Sequence, residues 1–510
     1  MSNASSLLNS SFSELRLALD NASISSRELT FECLRRARAS QSELNAFITI
    51  LDEEALASAD AADLRLKAGE RNPLLGLPVA IKDLILTKGH LTTAASKMLE
   101  TFVAPYDATV WARLKLAGCP LVGKSNLDEF AMGSSNETSH FGAVRNPWNL
   151  GCVPGGSSGG SAAVVAARVA PLSLGTDTGG SIRQPSSFCG LTGLKPTYGR
   201  VSRYGVVAFA SSLDQVGPMA PDALSCAALL ATISGHDHHD ATSSSAPPAD
   251  FLAETKAWVA SCAEGSSGLR GKRIGIPKEY FSLEGLNEEV RKSVLDALNF
   301  YRGLGAELVE LSLPHTRYAV STYYLVCTAE ASSNLARYDG VHYGHRSPNF
   351  KGGSVSDLYI MTRGEGFGDE VRLRILLGTF ALSAGYYDAY FKKASQVRTL
   401  IKRDFEEAFQ RCDFVAGPTA PTTAFKLGEK QGDPLAMYLS DVYTLSTNLA
   451  GLPGISFNVG FDSKNLPIGL QLVSPWWKES SLLGMAAIFQ NLRPESQKIS
   501  PLAQGWSAHG

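Results

Sequence analysis

The sequence contains no C-x-x-C pair, and its eight cysteines are scattered singly along 510 residues. That excludes a local zinc ribbon or dithiol redox motif and fits a reducing compartment. There is no apolar run of about 18 residues, so no membrane-spanning helix is expected. The first turns of the chain carry no apolar signal core, and they include Glu14 and Asp20, unlike an acid-poor transit peptide. A cytoplasmic location is therefore expected. An excess of basic charge is missing too. The formal net charge of −2 excludes a stand-alone polyanion binder, although it leaves room for a complex in which another subunit holds nucleic acid. With 44% hydrophobic and 19% charged residues, the chain reads as globular and long enough for a large core.

What is abundant is glycine, and it is concentrated. Residues 154–185 read P-G-G-S-S-G-G-S-A-A-V-V-A-A-R-V-A-P-L-S-L-G-T-D-T-G-G-S-I-R-Q-P. Two Gly/Ser loops, 155–160 and 175–181, flank an Ala/Val-rich helix predicted over 161–170, stopped by Pro171, and a short strand at 172–174. A helix start is expected at 182–184. Such runs can be flexible linkers. Here each loop abuts an apolar segment, as functional loops on a rigid scaffold do. Serial glycines let backbone amides turn toward a ligand and face negative charge.

Around this stretch, helices and strands alternate. Ser25 to Glu28 fits a capping box with Ile24 as its hydrophobic staple. A helix at about 53–68 ends at Gly69. Residues 77–81 are a short apolar strand with Lys82 at its end. Asp107 is placed to cap a helix at 108–117, and 120–123 is a strand. After a run of short strands and turns (198–218) come a helix at 225–233 and a polar region at 234–272. Further elements are a strand at 273–276, an amphipathic helix at 287–302 with Val290, Val294, Ala297, Leu298 and Tyr301 on its apolar face, and a strand at 305–311. Residues 364–390 read as mostly helical, 414–418 as a strand, and 448–458 and 468–473 as strand and loop. This alternation indicates α/β layering around one sheet. We expect one domain over 1–510: N-terminal helices at about 10–70, a core at about 71–235, a linker-like loop at about 236–270, and the remaining sheet and helices at 271–510.

Two motifs match patterns whose context is wrong, and a third cluster matches none. Gly118 to Ser125 spells the phosphate loop G-x-x-x-x-G-K-[ST], but that loop must follow a strand and open a helix, and here a helix precedes it. Lys124 and Ser125 are therefore not expected to bind nucleotide. Gly155 to Gly159 spells the nucleophile elbow G-x-S-x-G, but Pro147, Gly151 and Pro154 leave no room for the preceding strand. His236, His238 and His239, with Asp237 and Asp240, fit no standard metal spacing and read as a solvated loop. No metal site is expected.

A serine nucleophile needs a base and donors for an oxyanion. None of the nine histidines lies in the glycine loops, although the fold could bring one near. A lysine can serve if burial lowers its pKa enough to make it neutral, and Lys82 is the best placed.

Three stretches together resemble the amidase signature enzymes: Gly76-Leu-Pro-Val-Ala-Ile-Lys82-Asp83, Pro154-Gly-Gly-Ser157-Ser-Gly-Gly, and Gly175-Thr-Asp-Thr-Gly-Gly-Ser181-Ile-Arg-Gln-Pro. The resemblance implies an α/β fold with a large mixed central sheet covered by helices on both sides. It implies a catalytic Lys82–Ser157–Ser181 triad, in which Ser181 attacks the amide and Ser157, on a cis peptide, shuttles protons to Lys82. The oxyanion hole would be the amides of Thr178, Gly179, Gly180 and Ser181. Further stretches, such as Asn126-LDEFAMGSS, Glu330-ASSNLARYDGVHYG and Met437-YLSDVY, are similar to the branch of that family that makes ammonia from glutamine for tRNA-dependent amidation. That similarity implies Arg374 for the glutamine α-carboxylate, Asp441 for its α-ammonium, and Gly133 and Tyr324 in the same pocket. It also implies no cofactor in this chain, ATP and Mg²⁺ used by a partner subunit that amidates mischarged Glu-tRNA(Gln), and a heterotrimer completed by a small third subunit. The competing readings are a free-standing amidase of another small amide, a nucleotide binder on 118–125, and an inactive scaffold subunit.

Overall fold

Eleven strands form one mixed sheet among the described residues, which in this computed structural model are 2–247, 249–262 and 267–508. They are β1 (Phe47–Ile50), β2 (Val79–Lys82), β3 (Leu121–Ser125), β4 (Leu172–Asp177), β5 (Thr192–Lys195), β6 (Gln215–Ala220), β7 (Arg273–Pro277), β8 (Glu307–Leu311), β9 (Phe414–Pro418), β10 (Gly454–Phe461) and β11 (Pro467–Val473). Their order is β1-β3-β2-β4-β6-β5-β10-β11-β9-β7-β8. β2 runs parallel to both neighbours, β3 and β4, and β7 runs parallel to β8 and β9; the remaining pairs are antiparallel. Every residue of β2 to β6, β9 and β11 is buried, without the alternation of a half-exposed sheet. Such strands have both faces covered, here by helices, which is the expected α/β layering.

Local sequence rules account for many helix ends. The Ser25–Glu28 capping box forms and starts the helix Ser26–Leu44. Gly69, at φ +89°, ends the helix Asp52–Lys67. Asn287 caps Glu288–Gly303, and the five apolar positions read from its period are the five buried ones.

Three expectations are corrected. Asp107 caps no helix; its carboxylate accepts the Lys88 amide, and Thr109–Leu116 starts without a side-chain cap. The Ala/Val helix is Gly159–Ala166 and stops before Pro171, because Arg168 turns left-handed at φ +54°. The linker-like stretch contains the helix Phe251–Ser261, whose Phe251 and Thr255 are buried; its residues 248 and 263–266 lie outside the described ones. No helix is long and apolar enough to cross a membrane, among the described residues.

Candidate active site

The site is built where the parallel strands β3, β2 and β4 end side by side. Lys82, the last residue of β2, pairs in register with Ser125 of β3, and Ile81 before it with Leu174 of β4. The carboxyl ends of parallel strands are where ligand sites form in such sheets. Lys82 has no solvent exposure. Its ammonium nitrogen reaches Ser157 Oγ at 2.8 Å, Ser158 Oγ at 2.8 Å and Thr176 Oγ1 at 3.0 Å. All three partners are hydroxyls, and no carboxylate makes an ion pair with it among the described residues. Burial lowers its pKa from 10.5 to about 7, against the opposing fields of Asp128, Asp177 and Asp214.

The false phosphate loop explains why Lys82 stays unpaired. Asp83 is the adjacent acid, but its carboxylate turns to Lys124, at 2.9 Å, and to the Thr93 amide and hydroxyl. Lys124 is fully buried and also donates to Thr92 Oγ1 and the Leu91 carbonyl. Ser125 Oγ bonds Ser161 Oγ at 2.7 Å. Both residues are internal supports of the site. No strand leads directly into Gly155 to Gly159 either, so the nucleophile-elbow context is absent too.

The first glycine loop carries Ser157 on a cis Gly156–Ser157 peptide. Gly156 lies so close to its surroundings that a Cβ there would meet Asp128 Oδ2 at 2.1 Å and the Ser135 amide at 2.7 Å. Gln184 holds this loop from behind, accepting from Gly156 N at 3.0 Å and donating to the Ser134 carbonyl at 2.8 Å.

The second loop follows β4. Asp177 accepts from Ile182 N and Arg183 N and so caps the short helix Arg183–Cys189. Burial alone would raise its pKa, but the charge and bonds of Arg183 hold it below the ordinary carboxylate range. Arg183, fully buried, also donates to the Thr444 carbonyl and to Gln471 and Asn448. These bonds fix residues 178–181 between two rigid ends. The backbone amides of Thr178, Gly179, Gly180 and Ser181 donate to no protein acceptor among the described residues. Thr178 Oγ1 is tied to Asp214 at 2.7 Å. Ser181 is 8% exposed, whereas Ser157 is sealed. Of the two serines, only Ser181 meets solvent.

Arg374 lies on the helix Asp369–Leu382 and is buried. Its Nε donates to Glu370 Oε1 at 2.8 Å, and its guanidinium lies near the rings of Tyr324 (5.2 Å), Phe209 (5.6 Å) and Tyr438 (5.8 Å). Tyr324 and Tyr438 stack with centroids 3.8 Å apart. Asp441 accepts the Ser134 hydroxyl on Oδ2 and leaves Oδ1 buried without a hydrogen-bond partner. Burial pushes its pKa up to about 7, opposed by that hydroxyl. A Cβ on Gly180, at φ +151°, would stand 3.4 Å from Oδ1 and 2.3 Å from Thr444 Oγ1, so Asp441 faces the loop that carries Ser181. A Cβ on Gly133 would collide with Asp128 at 2.3 Å, and the residue after it, Ser134, is the one that bonds Asp441.

Sequence reasoning missed Ser158, Thr176, Asp128, Ser134, Gln184 and Asp214. Ser158 and Thr176 sit inside the quoted motifs, one residue from Ser157 and Asp177. The signal for them was there. No histidine hydrogen-bonds Lys82, Ser157 or Ser181 among the described residues. Asp237 is buried, and its carboxylate is occupied by Thr109, Ser202 and the His239 amide. Its carboxylate lies with the exposed His238 and His239 in one cluster, but those bonds make it a loop anchor.

A family model described as Amidase matches residues 28–483. The chain is 55% identical over 478 residues to a glutamyl-tRNA(Gln) amidotransferase subunit of Geobacter metallireducens, covering 94% of this chain and 96% of that one. It is 54% identical over 494 residues to the corresponding glutamyl-tRNA(Gln) amidotransferase subunit of Acinetobacter baumannii, covering 97% and 98%. The crystal structure of the same amidotransferase subunit from Thermotoga maritima superposes with a TM-score of 0.76 at 41% identity, over 94% of each chain. The peptide amidase of Stenotrophomonas maltophilia gives 0.79 at 28% identity, over 97% and 98%.

Proposed function

The chain belongs to the amidase family, and from that premise we propose that it is the glutamine-hydrolysing subunit of a glutamyl-tRNA(Gln) amidotransferase. The observation that carries the reading is the sealed Lys82, held by three hydroxyls and no acid, with a pKa of about 7. A lysine in that state accepts a proton near neutral pH.

In the reaction, Ser181 Oγ attacks the side-chain amide carbon of glutamine. Its proton passes through Ser157 to Lys82. The carbonyl oxygen becomes an oxyanion facing the amides of 178–181, where fixed donors act without reorganising. The proton returns to the nitrogen, ammonia leaves, and a γ-glutamyl ester remains on Ser181. Water, deprotonated by the same Lys82–Ser157 pair, attacks that ester and releases glutamate. Arg374 takes the α-carboxylate, and the unpartnered Asp441 Oδ1 takes the α-ammonium. Tyr324 shapes the pocket by stacking beside Arg374.

Ammonia then passes to partner subunits. One of them uses ATP and Mg²⁺ to activate Glu-tRNA(Gln) and amidates it, and a third, small subunit completes the heterotrimer. This chain itself needs no cofactor. Its eight cysteines are free and buried, which supports a reducing, cytoplasmic setting.

The test is glutamine-dependent ammonia release, with and without co-purified partners, together with amidation of Glu-tRNA(Gln). Glutaminase that supports tRNA amidation only with the partners present is the expected result. Hydrolysis of other small amides in preference to glutamine would indicate a free-standing amidase.

A further inference from the structure

Glu129 is buried, 3% exposed, and makes none of the bonds described above for the catalytic residues. It directly follows Asp128, which backs the Ser157 loop. Its side chain turns the other way. Oε2 accepts the Gly368 amide at 2.9 Å, and Oε1 accepts the Ser96 hydroxyl. Gly368 is the N-cap residue of Asp369–Leu382, and it has no side chain with which to cap that helix itself. The next residue, Phe130, packs its ring on Phe367 with centroids 5.7 Å apart. The pair 129–130 therefore holds the pair 367–368 by a carboxylate and by a ring.

We propose that Glu129 is a positioning residue for glutamine recognition: it caps the Arg374 helix from the catalytic core and so holds the carboxylate clamp in register with Lys82 and Ser181. This rests on the assignment of Arg374 as that clamp. Orphan amides at a helix start need an acceptor, and the buried Glu129 side chain supplies one to Gly368. The far half of the helix has its own anchor. Gly378 approaches Ala319–Asn334 so closely that a Cβ would lie 1.9 Å from the Thr328 carbonyl. Arg374 lies between these two anchors, about 6 Å along the axis from Gly378. Release of the first turn lets the helix pivot on Gly378, and the guanidinium swings by a fraction of the displacement at its start. Recognition geometry tolerates about 0.5 Å. The nucleophile half of the site rests on other elements and does not move.

Three substitutions separate the cap from general damage. Glu129→Ala removes the acceptor. Gly368→Ala leaves the backbone conformation allowed (φ −70°, ψ 169°) but places a Cβ 2.5 Å from Glu129 Oε2. Glu129→Gln can still accept from Gly368 and donate to Ser96. The enzyme, purified with its partner subunits, is assayed for glutamine KM and kcat, and for the rate at which methanesulfonyl fluoride, which has no carboxylate, modifies the active serine. Glu129→Ala and Gly368→Ala should each raise KM by about tenfold, the effect of a lost cap, with kcat and labelling within about twofold of wild type. Glu129→Gln should restore KM to near the wild-type value. An unchanged KM in active Ala variants, or a parallel fall in kcat and labelling, would overturn the proposal alone. A wild-type complex without glutaminase would overturn it together with the function on which it rests.

Discussion

Replacing Lys82 by arginine separates a neutral base from a structural cation. At a pKa of about 7, Lys82 is roughly nine-tenths neutral at pH 8. An exposed lysine, with a pKa near 10.4, would be neutral in only about 4 molecules per 1,000. Burial at the end of β2 thus raises the population of the basic form by about 200-fold. Arginine keeps its charge at any working pH, so the same burial can give it no basic form. Lys82→Arg should be as inactive as Lys82→Ala, a loss on the order of 10²–10⁴ in kcat and more if the triad acts as a unit. Glutamine binding should persist in both, because Arg374 and Asp441 do not touch Lys82. In the wild type, kcat at saturating glutamine should fall about tenfold per unit as pH drops below about 7, where Lys82 takes up its proton, and should flatten above it. The assay is ammonia release across pH 5.5–9 (about the range in which the fold should survive) with a separate glutamine titration by calorimetry. Near-normal turnover of Lys82→Arg, or a flat wild-type profile between about pH 6 and 8, would refute the base assignment.

Asp441→Asn should raise the glutamine KM by roughly 10–100-fold, the loss of a charge-assisted bond, with a smaller change in kcat. In the wild type, glutamine affinity should weaken as pH falls through about 7, since Asp441 is then protonated and uncharged; unchanged titrations of Asp441→Asn would remove it from the pocket. Lys124→Ala should bind no less ATP than the wild-type chain, which itself should bind none tightly, but it should lower the melting temperature markedly. It leaves Asp83 buried without its ion pair, a change that typically costs about 3–5 kcal/mol. Tight, Mg²⁺-dependent ATP binding abolished by Lys124→Ala would restore the phosphate-loop reading.

Much of this fold was legible because local rules set it. The capping box at Ser25 and the apolar period of 287–302 reappear as read, and the short apolar strand read at 77–81 reappears as Val79–Lys82. Where local and long-range demands conflict, the reading failed. Asp107 had the right spacing to cap a helix, but its carboxylate was taken by the Lys88 amide. Phe251–Ser261 looked polar in sequence, yet two of its side chains are buried in the core. The motifs that carry the family resemblance also contain the lysine–serine contact, so Lys82 and Ser157 could be paired before any coordinates. Asp214, Ser134 and Glu129 could not be assigned in this way. Their partners, Thr178, Asp441 and Gly368, are 36, 307 and 239 residues distant, and only the assembled fold brings them together.

The central claim is that the acyl group resides on Ser181, the partly exposed serine behind which the free amides lie, and not on the sealed Ser157. The most direct measurement is peptide mass spectrometry after reaction with a glutamine-like electrophile, with the modified residue located by fragmentation. The account predicts an adduct on Ser181, abolished by Ser181→Ala and slowed but not relocated by Ser157→Ala. An adduct on Ser157 would contradict it.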